Sequence, residues 1–160
     1  MRAFCCFLMI VIAMSAEATT EYDQQIRVSE LIEKFNITED VSYLSQAMTR
    51  CGAIWLSMGE LSKDNSRTEI ISASATEFGH KAVATSVFIV TRLRGYEGDA
   101  NAAVLRDLHH QVKLLSNVFT ESRSRTGDNL RNTNFAVDSE NCKSEVAPLI
   151  EVVESYMAPN

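Results

Sequence analysis

The chain has only two prolines and six glycines among 160 residues, and no Pro-, Gly- or Ser-rich stretch that would serve as a linker. Without such breaks there is nothing to divide it into domains or to bound a series of short strands. Strand-like alternation is nearly absent as well, which leaves helical periodicity as the dominant pattern. Spacings that particular chemistries demand are also missing. There is no Gly-x-Ser-x-Gly elbow, no His-Glu-x-x-His pair to face one zinc ion, no phosphate-binding glycine loop, no dinucleotide fingerprint and no Cys-x-x-Cys-His for covalent haem. A non-enzymatic role is therefore the expectation. Lysine and arginine number 15 against 21 acidic residues, for a formal charge of −6, and the basic residues are scattered. Phosphate recognition needs a concentrated positive surface, so nucleic acid is not an expected partner.

Long apolar runs are absent too. Phe4–Met14 and Ala82–Val90 are the most apolar stretches, and both fall well short of the ~20 residues that span a bilayer. The first nevertheless carries a message. Arg2, the short apolar core and the small side chains Ala16 and Ala18 have the order of a cleavable secretory signal. Residues 1–18 are expected to be the signal peptide and 19–160 a single exported domain, periplasmic or extracellular, with no stable membrane insertion. Cys5 and Cys6 would leave with the signal.

The helical pattern predicts an all-α, up-and-down bundle of about four main helices plus a short N-terminal helix. The first, over about 21–35, carries Ile26, Leu31, Ile32 and Phe35, and Asn36-Ile37 breaks it. Thr38, with Glu39 and Asp40, would cap a second helix whose stripe is Leu44, Met48, Cys51, Trp55 and Met58. Ser66 and Glu69 form a capping box for a third, running to about Arg94 with the stripe Ile71, Ala75, Phe78, Ala82, Ile89 and Leu93 and apolar enough to be central. Asp99 would cap a fourth with Leu105, Leu108, Val112, Leu115 and Phe119 on one face. The polar stretch 122–134 reads as a helix end, turn or loop. A last helix is expected from about Ser144, with Pro148 either kinking it or marking its first turn.

The two remaining cysteines, Cys51 and Cys142, lie on apolar faces of predicted helices, and an exported chain favours their oxidation. A Cys51–Cys142 disulfide is expected, with two buried free thiols as the alternative. Glu77-x-x-His80 and Asp107-x-x-His110 have a spacing used by metal-binding bundles. All four residues fall off the apolar stripes, however, and read as solvated faces, so no cofactor is expected. A non-covalent haem using Met48 or Met58 with a histidine is the related alternative. Asn36-Ile37-Thr38 is a glycosylation sequon that would matter only in a eukaryotic secretory pathway. The functional expectation is an exported helical module that binds another protein or itself, through off-stripe apolar residues such as Ile54, Leu61 and Val90. The alternative is a metal- or haem-binding bundle.

Overall fold

The computed structural model describes residues 21–62, 69–127 and 132–157. The signal at 1–18 and the cap expected at Ser66 lie outside the described residues. The fold is an all-α bundle: α1 (Val28–Thr38), α2 (Val41–Ser62), α3 (Glu69–Phe88), α4 (Ala100–Thr126), α5 (Thr133–Asn141) and α6 (Ala147–Met157). A 3-10 turn at Tyr22–Gln24 precedes α1. Single π-helical turns at Ile89–Leu93 and Cys142–Val146 extend α3 and join α5 to α6.

The centre of the bundle is α2 and not α3. Thirteen of the 22 residues of α2 are buried, among them Leu44, Met48, Cys51 and Trp55 of the predicted stripe and residues well off it, such as Arg50 and Ile54. It packs against α1, α3, α4 and α5 and against both π turns. Ile54, placed off the stripe and expected at the surface, is fully buried for that reason. Val90 is buried too, in a small cluster with Ala100 and Val104, so of the three suggested surface residues only Leu61 is exposed. Conversely Leu93 and Leu105, assigned to apolar stripes, are 55% and 43% exposed. The inner face of α4 is Val104, Leu108, Leu115 and Val118, and each large aliphatic side chain buried there contributes about 1.5–3 kcal/mol.

Small residues let α2 and α3 lie unusually close. Ser45, Gly52 and Gly59 recur every seven residues on α2, as do Ser72, Gly79 and Ser86 on α3. Antiparallel packing sets Ser45 beside Ser86, Gly52 beside Gly79 and Gly59 beside Ser72. The Ser45 and Ser86 hydroxyls are 2.8 Å apart, Ser86 Oγ donates to the Ser45 carbonyl at 3.1 Å, and Ser72 Oγ donates to the Gly59 carbonyl at 2.7 Å. A Cβ on Gly79 would stand 2.6 Å from Leu56 Cγ, and one on Gly52 would be 3.3 Å from the Gly79 carbonyl oxygen.

Helix ends account for most departures from the sequence expectations. The apolar stripe of α1 stops before the helix does, because its last turn is solvated. Thr38 Oγ1 donates to the Lys34 carbonyl and so closes α1, Glu39 turns the chain in the left-handed region at φ 57°, and Asp40 Oδ1 caps α2 by accepting from Ser42 N. At its other end α1 begins at Val28, where the cap comes from a distant residue: Val28 N donates to Asp138 Oδ1 at 3.2 Å. Asp99 caps α4 as expected, accepting from Ala102 N at 3.0 Å, and α4 runs on to Gly127 at φ 75°. The final helical stretch starts at Thr133, not near Ser144, because the Asn132 side chain accepts from Phe135 N. Pro148 is the second residue of α6. It has no N–H to offer the Ser144 carbonyl, and the wider π turn just before it accommodates that loss.

The disulfide forms as the sequence implied. Cys51 on α2 and Cys142 in the second π turn are joined with Cα atoms 5.5 Å apart, both fully buried. Among the described residues, no helix is long and apolar enough to cross a membrane.

Candidate functional site

Two hollows flank α2. The first is an apolar cleft of about 470 Å³, walled by Trp55 and Met58 of α2, by Ser74, Ala75 and Phe78 of α3, and by Lys143 and Ala147 beyond the disulfide. Helical spacing builds each wall: residues 55 and 58, 74 and 78, and 143 and 147 lie one turn apart on their own elements. Two of the lining residues, Ala75 on α3 and Ala147 on α6, have short side chains that leave space in the hollow. Trp55 is buried, and its ring centroid lies 5.4 Å from that of the half-exposed Phe78, with their planes tilted by 42°. Ser139 Oγ lies 3.6 Å from Met58 Sδ and helps to fix that side chain. Lys143 alone among these residues is charged. It is well exposed, and Glu140 stands 3.8 Å from its Nζ.

The second hollow, of about 370 Å³, is polar. Gln25, Gln46, Thr49, Arg50, Asp107 and His110 contribute to its lining. Its floor is a buried ion network. Arg50 donates to Asp138 Oδ2 through Nε at 2.9 Å and Nη2 at 2.6 Å, and to Gln25 Oε1 through Nη1 at 2.7 Å. Tyr22 Oη donates to the same Asp138 oxygen at 2.8 Å, and the Arg50 guanidinium sits 4.3 Å from the centre of the Tyr22 ring. Arg27 Nη1 approaches Asp138 at 3.5 Å. Burial pushes the Tyr22 phenol well above its usual range; the Arg50 charge opposes the shift and the Asp138 charge adds to it. Asp138 is completely buried and Arg50 almost so. A buried carboxylate and guanidinium paired this closely hold α1, α2 and α5 together, which gives them a structural role. Gln111 lines this hollow too, and its buried Oε1 has no hydrogen-bond partner.

The sequence-predicted residues are distributed as follows. Cys51 and Cys142 form the disulfide that positions Lys143 and Ala147 at the apolar cleft. Glu77, His80, Asp107 and His110 are all exposed. Asp107 and His110 edge the polar hollow, whereas Glu77 pairs with Lys81 at 3.3 Å, and Lys81 also reaches Glu154 at 3.6 Å. Among the described residues, no three His, Cys, Asp or Glu side chains converge as a metal site would require. Met48 is fully buried in the core, and Met58 borders the cleft. Asn36 is exposed in the last turn of α1, with the Thr38 hydroxyl bonded to Lys34 and Asp40.

Sequence reasoning placed Trp55, Met58, Ala75 and Phe78 on core-facing stripes and did not single out Ser74, Lys143 or Ala147. No local signal marks them, since a cleft depends on which helices face each other. Arg50 was missed because helical periodicity assigns a charged position off the stripe to solvent, and Asp138 because it falls before the last helix expected from about Ser144. In comparisons with protein-family models, curated proteins and solved structures, no match was found, so the site must be read from its own chemistry.

Proposed function

We propose that this chain is an exported, non-enzymatic binding module, and that it holds a small apolar molecule in the cleft between α2, α3 and α6. The observation that carries the reading is the cleft itself: a concave, mostly apolar hollow of about 470 Å³ walled by Trp55, Met58 and Phe78, within the ~300–1,000 Å³ typical of small-ligand sites. Concavity favours a small molecule over the protein partner expected from the sequence, as does the burial of Ile54 and Val90, two of the three residues suggested for that contact. Export is supported by the signal-like residues 1–18 and by a disulfide that suits an oxidising compartment.

Native mass spectrometry of the exported chain, purified from its own host without detergent or organic solvent, tests this reading. The expected result is a co-purifying apolar compound that is lost in Ser74→Phe, a substitution at an exposed position that would fill the cleft. An adduct-free protein whose Trp55 fluorescence responds to no apolar probe would sink it.

A further inference from the structure

Building on that reading of the cleft, we propose that the ligand is an amphiphile with an anionic head, its apolar chain lying between Trp55, Met58 and Phe78 and its head meeting Lys143. Inside the cleft the only polar side chain besides Lys143 is Ser74, so the part of the ligand that enters must be almost wholly apolar. Of the residues lining the cleft Lys143 alone is charged, and its charge is positive. Lys143 has a flexible four-carbon stem that can lie along apolar surface while its ammonium stays in water.

Its present partner does not hold it firmly. Glu140 is 3.8 Å away, and both side chains are largely exposed, 60% for the lysine and 73% for the glutamate. An exposed pair of that kind adds little stability, so a ligand carboxylate, sulfonate or phosphate can exchange for it. Two acidic groups on the neighbouring helices are engaged elsewhere: Glu77 of α3 and Glu154 of α6 share Lys81, whose pKa their contacts raise, the Glu77 hydrogen bond most of all. A cationic head would meet the Lys143 ammonium, and a neutral head would gain nothing from it.

The chain's single tryptophan, Trp55, walls the cleft and reports binding directly. The purified exported chain, with its disulfide intact, would be titrated with decanoate, decanol and decyltrimethylammonium below their micelle-forming concentrations. Trp55 emission is expected to change saturably, with decanoate binding about fivefold more tightly than decanol and the cation weakest. Lys143→Gln, at an exposed position, should bring decanoate to parity with decanol, and Glu140→Gln should strengthen decanoate binding. Equal affinity for all three heads, or decanoate affinity unchanged in Lys143→Gln, overturns the anionic assignment while leaving the apolar cleft in place. No saturable response to any of the three overturns both.

Discussion

Asp138 is the residue on which most of the tertiary structure converges, because its carboxylate takes donors from three separate segments: Tyr22 Oη, Val28 N and the Arg50 guanidinium. Asp138→Ala would strand a buried cation along with the other two donors. The expected loss is about 3–5 kcal/mol, read from the urea midpoint, since breaking a buried pair costs far more than its net worth. Tyr22 ties the same cluster to pH. Its phenol is pushed above the unfolded value of about 10. The stability it contributes is therefore fully present below pH ~10 and is lost as pH rises further, because the unfolded chain ionises first. Denaturant midpoints should fall above that pH, and less steeply in Tyr22→Phe; an identical fall in the variant would assign the effect to other groups. None of this was legible in the sequence. Arg50 lies one position before Cys51 yet far around the helix from the stripe, and only the distant residues packed against it, Tyr22, Gln25 and Asp138, bury its position.

Among the elements, the α2–α3 contact carries the clearest test. Gly79→Ala raises helix propensity by ~1 kcal/mol, yet it places a methyl 2.6 Å from Leu56 Cγ and 3.0 Å from the Leu56 backbone nitrogen. Overpacking of that kind costs ~1–3 kcal/mol, so a net loss of up to ~2 kcal/mol is expected by thermal or urea unfolding. A midpoint unchanged or raised would mean that the two helices separate without penalty. This contact was visible in the sequence, as serines and glycines at seven-residue intervals in two neighbouring helices, but a reading weighted by large apolar residues passes over it. Helix starts were legible where the cap is local, as at Asp99. They were hidden where the cap is remote, as when Asp138 caps α1, and where a short polar segment intervenes, as at Asn132 before α5.

At the level of the whole molecule, the disulfide and the ion network fasten the C-terminal helices to α2 within two turns of each other. Cys51 and Cys142 are 91 residues apart, and in the chain-entropy model a loop of that length contributes about 4–5 kcal/mol. Reduction, or the double replacement Cys51→Ala with Cys142→Ala, should lower stability by an amount of that order in paired denaturant curves. A loss under ~1 kcal/mol would mean that the buried ion network suffices to hold the helices. The pairing was legible because the signal reading left two cysteines of four. The cleft was not, since its lining comes from separate elements, Trp55 on α2, Phe78 on α3 and Ala147 on α6 among them, that no local pattern connects. The same closed loop bears on how the protein meets proteases. Arg94 sits in the exposed connection before α4, so a trypsin-like cut after it falls inside the ring that the disulfide closes. Such a nicked chain stays one molecule: it migrates as a single species on a non-reducing gel, parts into two fragments only when reductant is added, and keeps both walls of the cleft joined in between.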